Sequence, residues 1–158
     1  IAGMGQAMAP MNDQHRQKAV QEIYENYKKN FPEVPEVTPE EAMQLVQAGQ
    51  AVFVDVRPRA ERQVSMLPDA MSIEDFLQCP DSYRGKTVIL YDTVGYRSGL
   101  IANKLRKKGY GIANLRGGIL GWLHAGGKIY DSCGNETRRV HVYGCMWNYA
   151  PGSCETVR

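Results

Sequence analysis

Three short apolar segments, separated by stretches with helical periodicity, constrain the fold of this chain most strongly. Residues 51–56 read Ala-Val-Phe-Val-Asp-Val, residues 87–91 read Thr-Val-Ile-Leu-Tyr, and a third segment lies near Ile112. Nearly continuous apolar strands are typical of parallel sheets that helices cover on both faces. The pattern therefore predicts an α/β fold with a central, mostly parallel sheet flanked by helices. In such sheets, ligands bind beyond the carboxyl ends of the strands.

A short loop follows the second of these strands. Residues 92–97, Asp-Thr-Val-Gly-Tyr-Arg, connect it to a helical pattern over residues 98–107. A loop that joins a strand to a helix this sharply points backbone N–H groups inward, and the helix adds its partial positive end. Such a loop suits an anion, and its first residue lies where a nucleophile would be activated. That residue is Asp92, and we expect the loop N–H groups and Arg97 to favour its ionised form strongly.

Four motifs occur in order along the chain. They are Val54-Asp55-Val56-Arg57 with Glu61, Leu67-Pro68 with Ala70, Tyr91 with the loop closing on Gly95-Tyr96-Arg97-Ser98-Gly99, and Leu115-Arg116-Gly117-Gly118-Ile119 with Trp122. Together they resemble the rhodanese family of sulfurtransferase modules over roughly residues 37–130. The resemblance implies a rhodanese-like three-layer fold. It also implies a loop that begins with a cysteine, which takes up sulfane sulfur as a persulfide and passes it to a thiol or cyanide.

Two positions depart from the family pattern. Asp92 stands where active members have the cysteine, and Met66 stands where many have a histidine. A carboxylate is not a soft sulfur carrier, and removing the nucleophile of an organised hydrolase site has cost up to about a millionfold in kcat. We therefore expect a rhodanese-like module that lacks sulfurtransferase activity and acts in binding or regulation.

An active enzyme is the alternative reading of the same loop. In that reading the chain is a thiosulfate or thiol sulfurtransferase whose cysteine was changed to Asp92, or one that uses a cysteine of the tail. A phosphatase with Asp92 as nucleophile is disfavoured, because Val94 occupies the place of the second carboxylate.

The predicted site has three groups of residues. The catalytic position is Asp92, with Arg97 beside it, and no cofactor or metal is expected. Arg57 and Glu61, one helical turn apart, are expected to pair near the base of the loop. The binding loop and the supporting residues are Thr93, Val94, Gly95, Tyr96 and Ser98, and Asp55, Arg57 and Glu61.

The chain divides into three segments. Residues 1–36 are expected to form an irregular leader followed by an amphipathic helix from Asp13 to about Asn30 that packs on its own domain. Residues 37–130 form the rhodanese-like domain, in which Thr38-Pro39 starts a helix. Residues 131–158 are a tail that packs on the domain, with an exposed strand over residues 139–143.

Charge and hydropathy narrow the class of partner. Nineteen basic and seventeen acidic residues give a formal net charge of +2, which indicates neither nucleic acid nor membrane as a partner. A sulfur-containing small molecule or a protein is expected instead. A soluble, cytoplasmic protein is expected, although the chain begins with Ile1, so it is read as a trimmed or processed form whose targeting sequence is unknown.

Four cysteines, Cys79, Cys133, Cys145 and Cys154, lack the Cys-x-x-Cys spacing of common structural metal sites. Reduced thiols are the expectation for a cytosolic protein. A disulfide between Cys145 and Cys154, and a metal site that adds His141 to the three tail cysteines, are the alternatives.

Overall fold

A parallel sheet of five short strands forms the centre of the molecule. The computed structural model describes residues 12–158, without the side chains of Cys145 and Trp147. The strands of the chain are β1 (Glu36–Val37), β2 (Ala51–Asp55), β3 (Met71–Ser72), β4 (Thr87–Tyr91), β5 (Ile112–Leu115), β6 (Ile129–Tyr130), β7 (Glu136–Thr137), β8 (Arg139–His141) and β9 (Glu155–Val157). The central sheet has the order β1-β5-β4-β2-β3, and every neighbouring pair in it is parallel.

Helices connect these strands. They are α1 (Asp13–Lys28), α2 (Pro39–Gln47), α3 (Arg59–Arg62), α4 (Ile73–Gln78), α5 (Tyr96–Arg106) and α6 (Gly118–His124), with short 3-10 segments at Pro80–Tyr83 and Gly144–Tyr149. Thr38 caps α2, because its side chain accepts a hydrogen bond from the Glu41 amide at 3.2 Å and Pro39 opens the helix. None of the helices among residues 12–158 is long and apolar enough to cross a membrane.

Alternate residues of the central strands face two separate apolar layers. In β4, Ile89 and Tyr91 join one buried cluster with Phe53, whereas Val88 and Leu90 join the other. A strand places successive side chains on opposite faces, so a strand without polar alternation must be covered on both. The predicted three-layer α/β fold is confirmed.

The N-terminal helix packs on the domain. Asn12 caps α1 by accepting a hydrogen bond from the His15 amide at 2.9 Å, and Val20 and Tyr24 are its buried residues. Both belong to the larger apolar cluster, because the apolar stripe of an amphipathic helix must be covered by another element.

The C-terminal segment differs from the single exposed strand expected over residues 139–143. β8 pairs in parallel with β9, with Val140 opposite Thr156. Val140 and Val142 are fully buried in the larger core cluster. The valine face of this segment is therefore part of the core, and only the alternate face meets solvent or the neighbouring loops.

Candidate functional site

The Asp92 loop, residues 92–97, lies at the carboxyl end of β4, the central strand of the sheet. Its backbone carbonyls are held by the start of α6, since the Ile119 amide donates to the Asp92 carbonyl at 2.9 Å and the Leu120 amide to that of Thr93 at 3.2 Å. Gly95, with φ of 120°, turns the chain into α5. A Cβ at Gly95 would lie 2.8 Å from the Tyr24 ring, so both backbone conformation and packing require glycine there.

The Asp92 side chain is fully buried and points into its own loop. Its Oδ2 accepts hydrogen bonds from the Arg97 backbone N–H at 2.9 Å and from Arg97 Nε at 3.1 Å. The carboxyl group therefore occupies the space that the loop would offer to an external anion. The structure places Asp92 inside the turn, as the sequence predicts.

The other carboxyl oxygen of Asp92 competes with the side-chain oxygen of Asn114 for the hydroxyl hydrogen of Ser98. Ser98 Oγ lies 3.2 Å from Asp92 Oδ1 and 2.6 Å from Asn114 Oδ1, while Asn114 Nδ2 donates to the Gly95 carbonyl at 2.9 Å. A serine hydroxyl donates only once, and the shorter contact to Asn114 takes that hydrogen. A protonated Asp92 would donate to Ser98 Oγ and satisfy every partner.

Burial raises the pKa of Asp92 above its ordinary value of 3.8, and it outweighs the lowering effect of the Arg97 charge and of the loop hydrogen bonds. The loss of the Ser98 hydrogen to Asn114 also raises the pKa of Asp92, because Oδ1 of the ionised carboxylate then has no donor from Ser98. The expectation that the loop strongly favours the ionised form is therefore wrong, since it omitted the cost of removing the carboxylate from water.

Arg97 is shared by two carboxyl groups. Besides Asp92, its guanidinium donates to both Glu61 oxygens, at 2.7 and 3.0 Å, and to Thr93 Oγ1 at 3.1 Å. Burial raises the pKa of Glu61, but the Arg97 hydrogen bonds and charge outweigh burial and hold it below its usual range. The bidentate geometry makes Arg97 with Glu61 the stronger pair.

Asp55 and Arg57 form a second ion pair below the loop. Arg57 Nη2 lies 2.8 Å from Asp55 Oδ2, and both side chains are fully buried. The same Nη2 donates to the Ser65 carbonyl at 2.7 Å. The expected pairing of Arg57 with Glu61 is wrong, because Arg57 turns toward the end of β2 and leaves Glu61 to Arg97.

Tail residues that the sequence did not indicate complete the site. His141 Nδ1 lies 3.7 Å from Glu61 Oε1, and the Arg97 guanidinium lies 4.8 Å from the centre of the Tyr143 ring. Asn114, in β5, is a third site residue that was not predicted from the sequence. A polar side chain inside a buried strand was a usable signal for it. Alternation places His141 and Tyr143 on one face, but it does not show what that face contacts.

The remaining predicted positions have structural contacts. Tyr96 packs against Tyr27 with ring centroids 4.8 Å apart, and Val94 is fully buried in the core. Met66, at the position of the family histidine, pairs its backbone with that of Tyr130 in an isolated antiparallel bridge. Trp122 is a core residue whose indole N–H donates to the Lys128 carbonyl at 2.8 Å.

Three of the four cysteines have side chains that the structure describes. Cys79, Cys133 and Cys154 are free thiols. The Cys145 side chain lies outside the part of the chain that the structure describes. Among the described residues, no group of three or more His, Cys, Asp or Glu side chains could hold a metal ion.

The fold and the loop identify the class of protein. Residues 38–125 match the family described as Rhodanese-like domain. The chain belongs to this family. The Asp92 loop therefore lies within the matched region, as does the Asp55–Arg57 pair.

Curated relatives carry sulfurtransferase names. A protein named tRNA sulfurtransferase from Desulfurococcus amylolyticus is 41% identical over 73 residues, which cover 45% of this chain and 14% of that protein. A protein named Sulfurtransferase from Allochromatium vinosum is 33% identical over 89 residues, covering 54% of this chain and 83% of that protein. The chain thus corresponds to a small part of the first relative and to most of the second.

Solved structures show the same fold. A thiosulfate sulfurtransferase from Pseudomonas aeruginosa superimposes with a TM-score of 0.58 and 25% identity, covering 75% of this chain and 24% of that one. A Bacillus halodurans protein superimposes with a TM-score of 0.53 and 24% identity, covering 72% of this chain and 87% of that one. The second likeness concerns the fold alone.

Proposed function

We propose that this chain is a rhodanese-like module without sulfurtransferase activity, which acts in binding or regulation. The observation that carries the proposal is the Asp92 side chain, fully buried and bonded inside its own loop. In the family, by resemblance, a cysteine at this position carries the sulfur. The shape of the site is kept here, while the group that would carry sulfur is replaced.

The chemistry of a carboxyl group argues against sulfur transfer at Asp92. A thiolate is soft and forms a stable S–S bond with sulfane sulfur, whereas an acyl-sulfenyl adduct on a carboxylate is far less stable. Protonation would lower the nucleophilicity of Asp92 further, and burial raises its pKa. Arg97 Nε and its backbone N–H are already engaged by Asp92, so a thiosulfate ion would find these donors occupied.

A tail cysteine is a weak substitute as sulfur carrier. Burial raises the pKa of the Cys154 thiol, and the thiolate rather than the thiol is the reactive form. Cys154 packs beside the larger core cluster. This arrangement favours an inert, structural thiol over the alternative in which Cys154 accepts sulfur.

Sulfur transfer by the unmodified chain is the decisive measurement. The chain is incubated with thiosulfate and cyanide, thiocyanate is measured, and intact mass is recorded after thiosulfate alone. We expect no thiocyanate above the protein-free blank and no gain of a sulfur atom. Asp92→Cys, assayed in parallel, and Asp92→Asn, which has no thiol and nearly the same shape, are the matched variants.

Two outcomes would overturn the proposal. One is turnover by the unmodified chain at the rate of Asp92→Cys. The other is a sulfur atom on any tail cysteine, located by peptide mass after thiosulfate exposure. Calorimetry with thiosulfate tests whether the loop still binds this anion. We expect no measurable heat, because Asp92 occupies the loop.

A further inference from the structure

Tyr143 lies between the Asp92 loop and solvent. Its ring faces the Arg97 guanidinium at 4.8 Å, and its side chain remains 37% exposed. Asp92, Thr93 and Val94 have no exposed surface, whereas the Arg97 side chain is 30% exposed. Of the loop residues, Tyr96 and Arg97 are partly exposed, and Tyr143 covers the Arg97 side of this opening.

The backbone that carries Tyr143 is held on both sides. The Val142 amide donates to the Val157 carbonyl at 2.8 Å, and β8 pairs with β9 just before it. Val140 and Val142 are fully buried, so moving this strand away would expose two core side chains. Rotation of the Tyr143 ring needs no such rearrangement. Access to the loop beside Arg97 is thus governed by one side chain, on the segment that directly follows β8.

The charge of the loop carboxyl group also acts on the Tyr143 hydroxyl. Burial raises the pKa of Tyr143, and the negative charge of Asp92 raises it further. His141 lies on the same face, two residues earlier, with a buried Nδ1 that has no hydrogen-bond partner. The two tail side chains thus cover the Arg97–Glu61 pair side by side.

We infer that Tyr143 is a specificity-determining residue, which limits by size what reaches position 92. This inference rests on the proposed function, in which the loop keeps its shape without its sulfur carrier. The ring must leave its contact with the Arg97 guanidinium before a bulky reagent can pass, and a tenfold change in rate corresponds to about 1.4 kcal/mol. Removing the ring should therefore speed the entry of a bulky reagent by about tenfold.

The test uses Asp92→Cys as a reporter of access. Three proteins are compared: Asp92→Cys alone, and the same change with Tyr143→Ala or with Tyr143→Phe. Each is treated with iodoacetamide, which is small, or with dithiobis(nitrobenzoate), which is bulky. Trypsin releases residues 87–97, a peptide with no native cysteine, so labelling at position 92 is read by mass without removing other thiols.

The expected result is a difference between reagents. Tyr143→Ala should speed labelling by the bulky reagent by about tenfold and labelling by iodoacetamide by much less. Tyr143→Phe, which keeps the ring, should match the protein with Tyr143. Labelling of Cys154, which is only partly exposed, should be equal in all three, and this excludes unfolding as the cause of faster labelling.

Equal labelling by the bulky reagent with and without the Tyr143 ring would overturn the inference. Unfolding of Tyr143→Ala at the labelling temperature would be detected as faster labelling of Cys154. Tyr143→Leu then replaces Tyr143→Ala, since leucine keeps an apolar side chain without the ring, and the same difference between the two reagents is expected. Labelling does not depend on sulfur transfer, so failure here is distinct from thiocyanate production by the unmodified chain.

Discussion

Two ion-pair clusters lie under the same end of the sheet and differ in how their charges are balanced. Asp55 and Arg57 form a one-to-one pair with no exposed surface. Asp92 and Glu61 share the single guanidinium of Arg97, which is 30% exposed. The first pair has no route to solvent, and the second reaches it beside Tyr143.

The difference bears on how strongly the fold depends on the side chain at position 92. When one partner of a fully buried ion pair is removed, the other charge stays buried and unpaired, and this destabilises the folded state. At the loop, Glu61 can retain Arg97 as a bidentate pair whatever residue 92 carries. The folded state therefore requires Arg57 and Asp55 more strongly than it requires any particular side chain at position 92.

The largest expected effect is at Arg57. Replacing it by methionine leaves the Asp55 carboxylate buried without a cation, and we expect a loss of about 3–5 kcal/mol in the free energy of unfolding. Urea denaturation measures it. Asp55→Asn combined with Arg57→Met should be less destabilised than the single change, since no charge is then left unpaired. Equal stability of Arg57→Met and the unmodified chain would remove the contrast between the clusters.

A smaller effect is expected at Arg97. Arg97→Met leaves two carboxyl groups without their cation, but the 30% exposure of the Arg97 side chain reduces the cost to about 2 kcal/mol. Denaturation in the same buffer gives the comparison. Arg84→Met is the control, because Arg84 pairs with Asp81 and both side chains are exposed, at 63% and 74%, and exposed pairs contribute about 0–1 kcal/mol. A loss at Arg97 as large as at Arg57 would mean that the two clusters are equivalent.

The smallest effect is expected for Asp92→Asn. The Asn Oδ1 can accept from Arg97 while its Nδ2 donates to Ser98 Oγ, which is the hydrogen-bond pattern of the protonated acid. We expect a change within about 1 kcal/mol of the unmodified chain near pH 7. Thermal or urea denaturation measures this difference, and a loss comparable to that of Arg57→Met would contradict it.

The difference in stability between the unmodified chain and Asp92→Asn should change with pH in one direction. Because the pKa of Asp92 is raised above 3.8 in the folded chain, the folded state binds this proton more tightly than the unfolded state. The stability contributed by the proton is full below the unfolded pKa and is lost as pH rises through the folded pKa. Lowering the pH from about 7 toward the ordinary Asp value of 3.8 should therefore stabilise the unmodified chain relative to Asp92→Asn. The opposite trend would show a lowered pKa.

The fold followed from local patterns. The apolar segments that became β2, β4 and β5 lack polar alternation, which fixes burial on both faces and hence a parallel, helix-covered sheet. Thr38 and Pro39 start α2 at the predicted residue, because capping depends on neighbouring residues only. The observed α1 and α5 differ from their predicted ranges by a few residues at the ends, where helices fray.

The site was predicted in part, and its errors have a common origin. Asp92, Arg97 and Ser98 lie within one strand–loop–helix unit, so their meeting is a local property. Arg57 was paired with Glu61 because the two are close in sequence, yet Glu61 binds a residue 36 positions away. The direction of the Asp92 pKa shift required the degree of burial, which spacing alone does not supply.

What the sequence determined by itself was the class of fold, the place of the loop and the carboxyl group at its start, since periodicity, capping and residue identity are carried by short stretches of chain. The tertiary structure decided which charge each carboxyl group faces, that Ser98 donates its one hydrogen to Asn114 rather than to Asp92, and that Tyr143 covers Arg97. These depend on distances between segments far apart in the chain, which only the packed core fixes.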